Sequence, residues 1–330
     1  MRQLELTERI LRLRGVPVFQ ALPGADLAQI AESIRTRTFE KGDVLLREDE
    51  PPKSFFLLGT GTVTMRRKGK RIGTIRAPGG VGFLSVLARN VGSTEAVAES
   101  YTEGYEVRAD VMDEVFEDHF PVLLGALRWV AERLIVENRQ QRPPPYVPPD
   151  VPFQHLIGDH ELGIVERIFL LRRARGFARA NVNSLARLAR NMEEVRRGPG
   201  EILWRPGEAA DFSYFVVKGM LTLSWNDGDS VQSVGPGYVL GGAESLLRFE
   251  RWNQLETTEP VVLLRGSREG LLDMFEDDHE MGRQFLSLLA TFLMTLWDRK
   301  AEAGITSVGA RGPSEHMPVA EKVEEQPTAP

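Results

Sequence analysis

Five histidines (His119, His155, His160, His279 and His316) and no cysteine are the first residues to weigh for catalysis or metal binding. Only His155 and His160 lie close together, with no carboxylate at metal-ligand spacing, so they read as surface or linker histidines and no metal site is expected. The lack of cysteine removes thiol nucleophiles, disulfides and Cys-ligated metals. Gly235-Pro236-Gly237 lacks the Lys-Ser/Thr ending of a phosphate-cradling loop, and no nucleophile stands beside an ordered base. No catalytic residue is therefore assigned, and the chain reads as a non-enzyme. Arg172, Arg173 and Arg175, with Arg187 and Arg190, could form a basic face for nucleic acid, but Glu193, Glu194, Glu201 and Glu208 surround them. A solvated charged face is the better reading. What remains is two glycine-rich turns, around Gly79-Gly80-Val81-Gly82 and Gly237 to Gly242, whose amides could bind an anion.

These turns belong to a repeat. At an offset of 158 residues Glu8, Arg9 and Ile10 land on Glu166, Arg167 and Ile168, and Leu27, Ala28 and Ala31 on Leu185, Ala186 and Ala189. Gly42, Leu45 and Arg47 match Gly200, Leu203 and Arg205, Gly61 matches Gly219, and Pro78-Gly79 matches Pro236-Gly237. Solenoid periods run to roughly 50 residues, so this is a duplicated domain in an insertion-free register. A length of 330 residues agrees with two domains, each able to bury a core of its own. With 42% hydrophobic and 27% charged residues the chain is an ordinary globular protein, and its net charge of -6 gives no attraction to phosphate backbones or anionic lipid. The first 15 residues mix Arg and Glu among leucines, an amphipathic helix without the apolar stretch of a signal peptide, so a cytoplasmic location is expected. The run 284–297 is too short to span a membrane.

Each repeat opens with helix and passes into strands. Apolar residues at spacings of three and four predict helix over 8–13 and 26–34. Short apolar runs divided by turns predict strands at 39–42, 44–47, 55–58, 62–66, 71–76 and 96–98. Helix resumes over 113–139 and ends before Arg142-Pro143-Pro144-Pro145, which cannot continue it. The second copy predicts helix over 163–192, strands over 195–264 and helix over 268–303. The expected boundaries are domain 1 over 1–142, a Pro-rich linker over 143–162, domain 2 over 163–303 and a disordered tail over 304–330.

Phe39-Glu40-Lys41-Gly42-Asp43-Val44-Leu45 and its counterpart Arg197-Gly198-Pro199-Gly200-Glu201-Ile202-Leu203 are followed by Phe56-Leu57-Leu58-Gly59-Thr60-Gly61 and Tyr214-Phe215-Val216-Val217-Lys218-Gly219. This pattern, with the Pro-Gly pairs at 78 and 236, resembles the cyclic-nucleotide-binding domain of catabolite-activator-type regulators and kinase regulatory subunits. The resemblance covers roughly residues 8–140 and 166–303. It implies a mainly β fold with flanking α, two tandem β jelly-roll domains each closed by a C-terminal helix. It also implies a cassette that wraps a cyclic phosphate with helix N-terminal amides, completed by a glutamate for the ribose and an arginine for the phosphate.

Carried onto this chain, both side chains fail in the first cassette. Phe83 takes the glutamate position and Gly92 stands near the arginine position, leaving Gly79, Gly80, Gly82, Leu84, Ser85, Ser93 and Thr94 as a degenerate pocket. Phe83 reads as apolar filling of that pocket. In the second, Gly242 falls at the glutamate position, Glu244 is two places late, and Arg251 lies within one residue of the arginine position; Gly237, Gly241, Ala243 and Trp252 complete the set. Arg251 reads first as a solvated loop arginine and second as the surviving phosphate contact.

Three functions follow as expectations. The first is a regulatory or scaffold protein that needs no cofactor and acts through protein partners. The second is a cyclic-nucleotide sensor working through domain 2. The third, a DNA-binding regulator, is disfavoured, since the roughly 27 residues beyond Ala303 cannot form a three-helix reader. Phe285, Leu289, Phe292, Leu296 and Trp297, on a helix apolar almost all round, are the expected interface, within the tandem or across a homodimer.

Overall fold

The computed structural model describes residues 2–20, 22–89, 94–140, 160–173, 177, 180–225 and 228–304, so the linker is outside it but for 160–162, and the tail but for Gly304. Domain 1 opens with helices α1 (Arg2–Arg14) and α2 (Gly24–Ser33). Strands β1 (Arg35–Phe39), β2 (Val44–Leu46), β3 (Ser54–Thr60), β4 (Thr62–Arg67), β5 (Lys70–Arg76) and β6 (Gly79–Val81) lead to the short helix α3 (Phe83–Ala88). Strands β7 (Glu95–Ala98) and β8 (Thr102–Arg108) follow, then α4 (Ala109–Asp118) and α5 (Phe120–Gln140). The sheets run β1-β8-β3-β6 and β2-β7-β4-β5, antiparallel throughout, which is the strand order of a jelly roll.

Domain 2 repeats this order. It has α6 (Ile164–Arg173), α7 (Val182–Asn191), β9 (Glu193–Arg197), β10 (Ile202–Trp204), β11 (Phe212–Lys218), β12 (Leu221–Trp225), β13 (Ser230–Val234) and β14 (Val239–Leu240). Then come α8 (Gly242–Leu247), β15 (Gln254–Thr257), β16 (Val261–Ser267), α9 (Arg268–Asp277) and α10 (His279–Glu302). Its sheets run β9-β16-β11-β14 and β10-β15-β12-β13.

The central strand shows why these sequences fold this way. Alternate residues of a strand face opposite sides. Phe56 and Leu58 of β3 enter the barrel core, whereas Phe55 and Leu57 enter the helical core outside it. Tyr214 and Val216 of β11 divide from Phe215 and Val217 in the same way. Burial on both faces is what makes each run continuously apolar. The repeated glycine ends this strand for a steric reason. Gly61 and Gly219 have φ of 90° and 83°, and a Cβ at Gly61 would lie 2.6 Å from the Tyr101 carbonyl oxygen, with the Pro260 carbonyl closer still at Gly219.

Three sequence expectations change in detail. The helices expected over 113–139 and 268–303 each break in two, at His119 and at Asp278, whose carboxylate accepts from the Met281 amide at 3.1 Å. The helix expected over 163–192 is α6 and α7, and Asn181 caps α7 by accepting from the Asn183 amide at 2.8 Å. The register is not insertion-free. Val63 pairs with Ile75 as Leu221 pairs with Val234, so the offset is 158 on β4 but 159 on β5. The extra residue of the second copy lies in the β12–β13 hairpin, so residues after it correspond at 159 and Pro78-Gly79 falls on Gly237-Tyr238 instead of the expected Pro236-Gly237.

The closing helices α5 and α10 lie side by side and parallel. Gly282 packs on Leu123, its own equivalent at the offset of 159, and a Cβ there would approach Leu123 Cδ2 to 2.9 Å. At the other end Lys300 pairs with Glu137. An element that meets its own copy lies on a two-fold axis, so the tandem is an internal pseudo-dimer. Each barrel keeps a separate core, but the helices share one that runs from Leu13 through Leu123 and Phe285 to Leu296. The expectation of a self-sufficient core in each half therefore holds for the barrels alone. Of the expected interface residues, Phe285, Leu289 and Leu296 are buried in this shared core, and Trp297 packs against the barrel of domain 1. Phe292 is 42% exposed and lies outside the contact. Among the described residues no helix is long and apolar enough to cross a membrane.

Candidate functional site

Each barrel delivers a glycine-rich strand to a short helix. Gly82 (φ 87°) and Gly241 (φ 77°) turn the chain from β6 into α3 and from β14 into α8 in the left-handed conformation that only glycine takes without strain. The space above each glycine is where the two copies differ.

In domain 1 that space holds Leu46. A Cβ on Gly82 would lie 2.6 Å from Leu46 Cδ1, so the leucine rests directly on the glycine. Phe83 turns the other way, into the helical core, where its ring lies 5.1 Å from Phe55 and 5.4 Å from Trp129. It therefore does not stand beside Gly82; Leu46 does. Leu84 is buried, and the Ser85 hydroxyl donates to Thr94 Oγ1 at 3.2 Å. Gly79 is buried against Ile75, whereas Gly80 has open space beside its Cα. The one basic residue among the described residues of this cassette, Arg89, pairs with Asp113 at 2.6 Å. Ser93 and Gly92 lie outside the described residues.

In domain 2 the space above Gly241 holds a guanidinium. Arg251 is 1% exposed, so the solvated-loop reading is wrong. Its Nη1 donates to the Gly241 carbonyl at 3.3 Å and its Nη2 to the Phe212 carbonyl. The guanidinium carbon lies 4.2 Å from the Trp204 ring centre and 5.0 Å from that of Phe212. Any Cβ on Gly241 would collide with Nη1, so glycine and arginine require each other. Burial pulls the Arg251 pKa below the ordinary guanidinium value, and Glu244, buried in α8, is the largest opposing influence. Nε is buried and has no hydrogen-bond partner. With the offset of 159, Arg251 is the counterpart of Gly92 itself, ten residues after the left-handed glycine. The apparent one-residue discrepancy came from the hairpin insertion.

The other residues of the second cassette play supporting parts. Gly237 (φ 89°) makes a turn and donates its amide to the Val216 carbonyl at 2.9 Å. Gly242 and Ala243 face the shared helical core, Gly242 within 3.6 Å of Phe285 for an added Cβ. Trp252 packs edge-on against Trp225 at 5.2 Å and lies under Arg139 of α5, a domain 1 helix. Among the described residues no group of three or more His, Asp or Glu could hold a metal ion.

Residues 36–119 and 194–278, together more than half of the chain, match the family described as cyclic nucleotide-binding domain. The chain belongs to that family. Over 125 residues the chain is 26% identical to a cAMP-dependent protein kinase regulatory subunit of Mycosarcoma maydis, a match that covers 37% of this chain and 23% of that protein. Among solved structures, a cAMP-bound PfPKA-R is 13% identical with a TM-score of 0.35, covering 92% of each chain. The regulatory subunit of a cAMP-independent protein kinase A from Trypanosoma brucei is 15% identical with a TM-score of 0.34, covering 84% of this chain and 90% of that one. A cyclic nucleotide-binding-like protein of Brucella abortus is 26% identical over 34% of this chain and 98% of its own, with a TM-score of 0.30.

Sequence reasoning missed two residues that stand against the cassettes, Leu46 beside Gly82 and Trp204 beside Arg251. Leu46 and Trp204 are repeat equivalents at the offset of 158, and both stand at the end of the second strand of their barrel. Trp204 is buried and fixed by its indole N–H, which donates to Asn253 Oδ1 at 2.9 Å. The signal was an aliphatic residue in one copy opposite an aromatic in the other, next to an arginine present only in the copy with the aromatic.

Proposed function

We propose that this protein is a non-enzymatic regulatory or scaffold protein of the cytoplasm, in which two cyclic-nucleotide-binding domains have exchanged ligand reception for binding a protein partner. The observation that supports this reading is that Leu46 lies against the cassette glycine Gly82 in domain 1 and the Arg251 guanidinium against Gly241 in domain 2. A cyclic phosphate would have to displace a packed leucine in one copy. In the other it would have to draw the arginine from two carbonyls and the rings of Trp204 and Phe212. Loss of one partner of a buried charged hydrogen bond costs about 2–5 kcal/mol, enough to turn a micromolar site into a millimolar one at about 1.4 kcal/mol per tenfold. Calorimetric titration of the full chain with cyclic AMP, cyclic GMP and cyclic dinucleotides tests the reading, and micromolar binding in either domain sinks it.

One observation favours a second reading, a sensor that binds through domain 2 with a cyclic nucleotide as ligand. By resemblance Arg251 falls within one residue of the family's arginine position, and among the described residues its buried Nε has no partner, a place that an anion could take. On this reading Arg251→Ala abolishes binding seen in the wild type; an unchanged isotherm removes its basis.

A further inference from the structure

The pseudo-two-fold axis sets equivalent residues of α5 and α10 against the opposite domain. Arg128 of α5 donates from Nε to the Leu246 carbonyl in α8 at 3.1 Å, and its equivalent Ser287 of α10 donates to the Ala88 carbonyl in α3 at 2.7 Å. Each cassette helix thus ends on the closing helix of the other domain. Further along, position 298 of α10 reaches Arg67 at the end of the fourth strand of domain 1, and its equivalent, position 139 of α5, reaches Trp252, which packs on Trp225 at the end of the fourth strand of domain 2. There the chemistry diverges.

On the domain 1 side, Asp298 accepts from Arg67 Nε and, at 3.1 Å, from Arg67 Nη2, with both side chains buried. Lys68, exposed, adds a second cation at 3.1 Å. Beside them Trp297 and Ala301 pack against the barrel core of domain 1. On the domain 2 side the strand ends in Trp225, and Arg139 lies exposed over Trp252 at 5.5 Å. Among the described residues no side chain of α5 joins the barrel core of domain 2. A bidentate buried ion pair is lost at large cost when one partner goes, because the other charge stays buried. An exposed cation over an aromatic ring holds little.

We propose that the pseudo-dimer is latched unequally: α10 is locked over the barrel of domain 1 by Asp298 and Arg67, while α5 meets the barrel side of domain 2 only through exposed Arg139 over Trp252, so that the barrel of domain 2 is the side that opens. The device lies in the contacts between the domains and does not depend on whether either cassette takes a ligand. Hydrogen exchange with mass spectrometry on the full chain reads it directly. Asp298→Asn should speed exchange across β4, β5 and the last turns of α10 by at least about tenfold and leave β12 and β13 within about twofold. Arg139→Gln should move β12 and β13 by less than about threefold. The double variant Arg67→Met/Asp298→Leu, which keeps the volume without the charges, should restore protection in β4 and β5. Should Asp298→Asn not fold, Lys68→Ala removes only the exposed cation, with about threefold faster exchange in β4 and β5 expected. The proposal is overturned if β4 and β5 are unmoved by Asp298→Asn or Lys68→Ala, if all segments loosen together, if the double variant fails to restore protection, or if Arg139→Gln loosens domain 2 as much as Asp298→Asn loosens domain 1.

Discussion

Arg251 is buried against neutral acceptors, with its charge spread over two carbonyls and two aromatic rings. Such a residue acts as a structural cross-tie between the cassette glycine and β11. Replacement by Ala leaves a cavity against Trp204 and Phe212, while both carbonyls keep their bonds from Ser245, so it should lower the stability of domain 2 by about 2–4 kcal/mol. A solvated arginine would cost within about 0.5 kcal/mol, and urea denaturation distinguishes the two. Gly61→Ala and Gly219→Ala should each cost more than about 2 kcal/mol in the same assay, because the new Cβ meets backbone that cannot step aside and φ is positive. The repeated glycines were legible in the sequence because their cause is local. The burial of Arg251 was not, since Arg248, Glu250, Trp252 and Asn253 around it read as a polar loop, and only the fold brings Trp204 and Phe212 to it.

Among the elements, the strands were legible because β3 and β11 bury both faces and so appear as unbroken apolar runs. The helical character of α10 was equally plain, but an all-round apolar helix says that it is covered and not by what. Its partner became visible only through the register, with Gly282 on Leu123. Gly282→Val should therefore push α5 and α10 apart and cost about 1–3 kcal/mol by overpacking, felt in both domains at once. The Asp298 latch adds a pH dependence. Burial alone would raise the Asp298 pKa, but the hydrogen bonds and charges of Arg67 and Lys68 outweigh it and hold the carboxyl below its ordinary 3.8. A depressed folded pKa means stability that is present above the unfolded value and lost as pH falls through the folded one. Acid unfolding of the wild type should then include a step below pH 3.8 that Asp298→Asn lacks, followed by circular dichroism.

For the whole molecule, the shared helical core makes the two domains one cooperative unit. Thermal unfolding should give a single transition with equal calorimetric and van't Hoff enthalpies, where two independent domains would give two. Residues 1–142 produced alone should be poorly soluble, since α5 would expose the apolar face that α10 covers, and co-production with 143–330 should recover a soluble pair. At this scale the sequence reading was accurate about duplication and offered contact of the closing helix within the tandem or across a homodimer without deciding between them, because a repeat states what is copied and not how the copies dock. The central claim is the proposal that both cassettes of this member of the cyclic nucleotide-binding domain family are occupied by its own side chains. Isothermal calorimetry of the full chain against cyclic AMP, cyclic GMP and cyclic dinucleotides tests it most directly. The predicted result is no saturable heat tighter than about 1 mM; a one- or two-site isotherm in the low micromolar range contradicts it.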